Sequence, residues 1–151
     1  MPGNWSIYGH PLLNDQTCRE TSPAVRRYNC IAWAAEEDFR WWWPDPVGLS
    51  YWPANIARDE SVPTFIMAFQ TLGYELCDDG TLEEGLQKIA LYGRAQASGD
   101  FVATHVSRQL PSGEWTSKMG PLEDICHQEP HHVSGPAYGQ VVCFMSRKRS
   151  S

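Results

Sequence analysis

Tyr28-Asn29-Cys30-Ile31-Ala32-Trp33-Ala34-Ala35-Glu36-Glu37-Asp38-Phe39 is the stretch on which the fold turns. It is alanine-rich, apolar on one side and acidic on the other, which predicts a helix over 30–39. Asn29 is a favoured N-cap immediately before it. Cys30 is then the first residue of that helix. A helix N-terminus carries unsatisfied N–H groups and a partial positive charge, which favour a thiolate over a thiol. The same groups suit a developing oxyanion.

Downstream, 40–53 (RWWWPDPVGLSYWP) reads as a proline-broken aromatic loop, and 64–72 (TFIMAFQTL) as a second helix stopped by Gly73. Strands are expected over 74–77, 88–92, 101–110, 114–119 and 138–145, with Pro111-Ser112-Gly113 as a hairpin turn. Upstream, residues 1–23 carry no strong period and are expected to be an irregular arm. Residues 146–151 read as a basic, solvated tail. Helices come first and strands after, so the expected class is α+β, in one domain spanning 1–151.

With 151 residues, 42% hydrophobic and 20% charged, the chain can bury a core without covalent staples. A net charge of −6 and the lack of a basic stripe exclude nucleic acid as the expected partner. MPGNWSIYGHPLLNDQ has no basic region followed by an apolar run, so no signal peptide is expected. No apolar stretch approaches a membrane span. The expectation is a chain made in the cytoplasm, exported, if at all, without a cleavable leader.

The five cysteines, at 18, 30, 77, 126 and 143, are odd in number and lack CxxC spacing, which argues against a disulfide framework and a four-cysteine zinc site. Cys77 and Cys143 read as small hydrophobes. Cys126, His127, His131 and His132 approach metal-ligand spacing, but there is no second cysteine pair and Pro130 interrupts any helix. No metal or organic cofactor is expected, and no glycine-rich nucleotide motif is present.

A nucleophilic cysteine needs a base, usually histidine. Of the histidines at 10, 105, 127, 131 and 132, only His105 falls inside an expected strand, FVATHVSRQL, where a rigid element would hold the ring. A third group should orient the imidazole. Asp124 is favoured because a carboxylate best stabilises an imidazolium; Ser117, on the neighbouring strand, is the alternative. Trp42, Trp43 and Trp115 are candidate substrate-binding residues, with Trp41 and Trp52 beside them in the aromatic loop.

A cysteine opening a helix, then a distant histidine on a strand, then a polar residue after the following strand, resembles the papain-like cysteine peptidase superfamily. The segments YNCIAWA, ATHVSRQL and WTSKMG…EDICH resemble small bacterial papain-like domains in particular, over roughly residues 28–145. The resemblance implies a helix carrying the nucleophile, packed on a small antiparallel sheet. It also implies a cysteine protease that cleaves a peptide bond in a protein substrate. Some compact members act as toxins against competitors, which adds an expected antibacterial effector role and a cognate inhibitory immunity protein. Papain's glutamine before the cysteine has no counterpart at Pro23, Ala24 and Val25, and Gln16 lies further away. Its asparagine motif is replaced by Thr116, Ser117 and Lys118. Asn29 and the Cys30 backbone N–H are the expected substitutes at the oxyanion. Alternative readings keep the thiol chemistry in a peptidoglycan amidase or endopeptidase or a glutamine deamidase. The non-enzyme alternative makes the tryptophan loop a protein-binding surface.

Overall fold

A computed structural model describes residues 10–13, 17–22, 27–119 and 124–149. Two short α-helices precede most of the strands. They are α1 (Cys30–Ala34) and α2 (Val62–Gln70). The strands are β1 (Cys18–Ser22), β2 (Glu75–Cys77), β3 (Leu86–Ala95), β4 (Phe101–Gln109), β5 (Trp115–Lys118), β6 (Asp124–His127) and β7 (Gln140–Lys148). A 3-10 helix covers Pro130–Val133. All seven strands join one antiparallel sheet in the order β1-β6-β5-β4-β3-β7-β2. The class is therefore α+β, dominated by the sheet. Among the described residues no helix is long and apolar enough to cross a membrane.

The boundaries differ from expectation in ways the local chemistry explains. Asn29 caps α1 as expected, its side chain accepting from the Ala32 N–H at 3.1 Å. The helix nevertheless closes after Ala34. Glu36 adopts a left-handed φ of 66°, its N–H reaches the Trp33 carbonyl, and the Glu37 N–H reaches that of Ala32. That is a Schellman closure built on glutamate instead of the usual glycine. The Glu36 carboxylate is held by Gln87 and Arg147, which tie it to the sheet. Part of the expected irregular arm, Cys18–Ser22, is a strand paired with β6. Ser146–Lys148, placed in the tail by sequence, complete β7.

The sheet has two packed faces. Ile89, Leu91, Val106 and Met145 point to one side, where α1, α2 and the aromatic loop cover them. Ala90, Tyr92, Trp115 and Ile125 point to the other, covered by Leu13 and by Val133 of the 3-10 helix. Register shifts in β3 around Tyr92 mark bulges against both β4 and β7. Two glycines make this crowding tolerable. A Cβ on Gly93 would sit 2.7 Å from the Val102 carbonyl oxygen, and Gly139 combines a φ of 74° with backbone contact to Gly93. The bulge thus fixes the neighbourhood of His105, the partner of Tyr92 across the ladder.

Candidate active site

Cys30 opens α1 and packs onto β4. Only 6% of it is exposed, among Ile31, Ala34, Val106 and the other residues of the helical face. Burial pushes its thiol up to about 12, from an ordinary 9.0. The backbone groups of Val106, Ile31 and Cys30 itself, and the charge of Lys118, pull the other way and are outweighed. The helix-terminus expectation of a resting thiolate is therefore corrected. Five residues give α1 little dipole, and desolvation of the sulfur dominates.

His105 sits one residue before Val106 on β4 and is fully buried. Its ring stacks on Tyr138 with centroids 4.1 Å apart and planes 8° from parallel, and it tilts against Tyr92 at 5.2 Å. Its Nε2 lies 3.0 Å from the Ser117 hydroxyl. Ser117 in turn lies 2.6 Å from the Ser107 hydroxyl and 2.8 Å from Nε2 of His127. Nδ1 of His127 is 2.9 Å from the Glu129 carbonyl oxygen. Ser107, Ser117, His127 and Tyr92 are all buried. Within this network one polar atom stands out: Nδ1 of His105, enclosed and without a hydrogen-bond partner. Burial first, then the neighbouring His127 and His10, hold His105 well below its ordinary 6.5. Burial likewise takes His127 down to about 4. Both rings are neutral near pH 7.

Of the residues expected to work together, His105 and Ser117 are in contact. Cys30 reaches the same strand, its thiol against the Val106 backbone. Strand alternation turns the Val106 and His105 side chains to opposite faces, and no hydrogen bond joins the thiol to the imidazole. Tyr138, stacked on His105, is close enough to Cys30 to feel its charge. The paired register of β4 with β5 ends at Arg108↔Thr116, so the ladder does not extend alongside His105 and Val106. The site is thus assembled around one segment of β4 but is not closed.

Asp124, the favoured orienting group, lies elsewhere. On β6 it pairs with Lys118 and turns toward α1, where it accepts the Tyr28 hydroxyl at 2.6 Å. The reason is register: Ile125 and His127, not Asp124, share the His105 face. Asn29 is also committed. Its Nδ2 donates to the Trp42 carbonyl at 2.6 Å, and its Oδ1 accepts from the N–H groups of Ala32 and Trp42. It clamps α1 to the aromatic loop instead of facing an oxyanion. Gln16 and Pro23, Ala24 and Val25 lie outside the described residues.

The tryptophans divide between core and surface. Trp42 is 1% exposed, packs against Tyr51, Trp52 and Phe69, and donates Nε1 to Glu37. Trp115 is equally enclosed, against Phe144. Both are corrected from substrate-binding to packing residues. Trp43 is half-buried, edge-on to Phe65. Among the described residues no three His, Cys, Asp or Glu side chains converge as a metal site. Cys126 and His127 point to opposite faces of β6.

His127 is the member that sequence reasoning missed. Its only signal was its place in the CH-x3-HH string, which suggests metal binding and not a partner for a serine on another strand. A groove of about 1090 Å³ lies among Pro44, Arg58, Ser61, Phe101, Val102 and Val141. Neither Cys30 nor His105 lines it, so the chemistry and not the groove marks the candidate site.

Residues 19–146 match the family described as a domain of unknown function (DUF7689), and the chain belongs to that family. No curated protein and no solved structure matches it.

Proposed function

We propose that this chain is a papain-like thiol hydrolase, with Cys30 as nucleophile and His105 as proton acceptor, cleaving an amide bond in a protein. The observation that carries the reading is the bare Nδ1 of His105. It is the one unpartnered nitrogen of a buried network, on the strand whose next residue holds the Cys30 thiol. Ser117 takes the orienting place that the sequence left open between it and Asp124.

At rest both groups are neutral, so the chemistry is general-base catalysis and not attack by a standing thiolate. The reading requires Sγ to reach Nδ1 from the opposite face, through the gap where β5 leaves β4 beyond the Arg108↔Thr116 pair. The thiol proton passes to that nitrogen while sulfur bonds to the carbonyl carbon, and the carbonyl oxygen becomes an oxyanion near the Cys30 N–H. The imidazolium returns the proton to the leaving amine as the C–N bond breaks, giving a thioester. Water, deprotonated by His105, then attacks the thioester; the acid leaves and the thiol re-forms. The protein substrate, the effector role and an inhibitory partner protein rest on the sequence resemblance.

The test is trapping by a peptidyl vinyl sulfone, with the labelled residue located by mass spectrometry. A Cys30 adduct that is lost in His105→Ala, together with new protein N-termini in a treated lysate that Cys30→Ser fails to produce, supports the reading. A Cys30→Ala chain with undiminished cellular activity ends it. Target mass shifts without chain cleavage would move the reaction to deamidation.

A further inference from the structure

Hydrogen-bond donors and acceptors in the network can be assigned from one end. Nδ1 of His127 faces a carbonyl oxygen, that of Glu129, at 2.9 Å. A carbonyl only accepts, so Nδ1 carries the proton. A neutral imidazole has one N–H, so Nε2 of His127 is an acceptor. Its neighbour at 2.8 Å is the Ser117 hydroxyl, which must donate to it. With its single proton given there, Ser117 Oγ can only accept from its other neighbours. Nε2 of His105, 3.0 Å away, therefore carries the proton of that ring. The Ser107 hydroxyl is the remaining donor, shared between Ser117 at 2.6 Å and Tyr92 at 3.1 Å. His105 is left with a lone pair on Nδ1, the same atom that the packing leaves without a partner.

We propose that His127 is a positioning residue that sets the tautomer of His105 through Ser117, leaving Nδ1 as the atom that receives the Cys30 proton. Its use rests on the hydrolase reading above; its geometry does not. An imidazole of the opposite tautomer would carry its proton on Nδ1 and could accept none there.

The experiment is long-range proton–nitrogen NMR on the full chain labelled at histidine nitrogen, at neutral pH, with His105→Gln used for assignment. Expected are a single Nε2–H tautomer at His105 and a single Nδ1–H tautomer at His127. In His127→Phe the serine proton has no acceptor, and an Nδ1–H population should appear at His105. The rate of Cys30 trapping should fall about tenfold, with the concentration for half-saturation unchanged. His127→Gln, which can accept from Ser117 and donate to Glu129, should restore both readouts. Should His127→Phe not fold, Ser117→Ala breaks the same relay and must give the same mixed tautomer. An Nδ1–H tautomer at His105 in the unaltered chain, or one that stays pure Nε2–H in a folded His127→Phe, overturns the inference. A pure Nε2–H tautomer beside a Cys30 that no acyl electrophile labels upholds it, and removes the hydrolase reading alone.

Discussion

Alkylation of Cys30 offers a quantitative check on the buried-thiol description. Its pKa of about 12 against an ordinary 9.0 means roughly a thousandfold less thiolate near neutral pH, equivalent to about 4 kcal/mol. A more basic thiolate is also more nucleophilic. With a Brønsted slope of about 0.4–0.5, roughly 15- to 30-fold of that deficit is recovered. Chemistry alone then leaves Cys30 slower by roughly 30- to 70-fold than the same cysteine in an ordinary environment, and its enclosure can only widen the gap. The assay is limiting iodoacetamide near neutral pH, with each cysteine quantified by mass spectrometry in the native chain and in urea. Native Cys30 should react at least ~30-fold more slowly than unfolded Cys30, and its rate should keep rising through about pH 10 without levelling. A native rate equal to the unfolded one, or a plateau below about pH 9, would refute the reasoning. Either result would mean a standing thiolate–imidazolium pair that burial does not suppress. If the proposed hydrolase reading holds, a peptidyl electrophile should by contrast favour Cys30, with His105 taking the thiol proton as sulfur attacks.

Three further outcomes are expected. His127 drops from 6.5 to about 4 on folding, so between those pH values the unfolded chain binds the extra proton. Stability is full above pH 6.5 and falls as pH drops through that window, by about 3 kcal/mol from this group. His10 and His105 add in the same direction. Urea midpoints that stay flat from pH 6.5 to 4 would contradict it. Asn29→Ala removes a helix cap and both bonds to Trp42. It should cost about 1–3 kcal/mol in urea unfolding, whereas unchanged stability with lost trapping would restore an oxyanion role. Trp42→Ala should cost about 3–5 kcal/mol, visible as a lowered melting temperature. A stable variant with impaired substrate binding would restore the substrate-binding role to Trp42.

Legibility of the fold followed how local its causes are. The start of α1 was readable because Asn29 is a local capping signal. Its end was not, because a left-handed Glu36 depends on Gln87 and Arg147, both remote in sequence. β3, β4, β5 and β7 announced themselves through apolar content and turn residues. β6 did not. Its four residues lie between β1 and β5 and are buried on both faces, so no alternation shows. β1 is a polar edge, CRETS, defined by its pairing alone. At the site, His105 was visible as a histidine inside a strand and Ser117 as one of two orienting candidates. The choice between them needed the register, because residues 117 and 127 share a face that 124 does not. The state of the thiol was not readable at all, since desolvation depends on everything that packs around it.

The buried polar groups on one face of the sheet also bear on why a histidine stands at 105. Most buried polar atoms find a partner, since an unpaired one costs about 1–3 kcal/mol; Nε of Arg108 and Oε1 of Gln109 share with Nδ1 of His105 the lack of one. Here Ser107, Ser117, His127 and Tyr92 all find partners, and the defect falls on one nitrogen of His105. Its ring is otherwise held as an aromatic would be, stacked on Tyr138 and tilted against Tyr92. Phenylalanine would fill that space without an orphaned nitrogen, although it would leave Ser117 one donor short. Packing therefore does not select histidine, and a hydrogen bond through Nε2 repays only part of the burial of Nδ1. What the ring has that no apolar substitute offers is a lone pair of fixed direction, held in place by its partners. On the proposed reading, that lone pair is what receives the Cys30 proton.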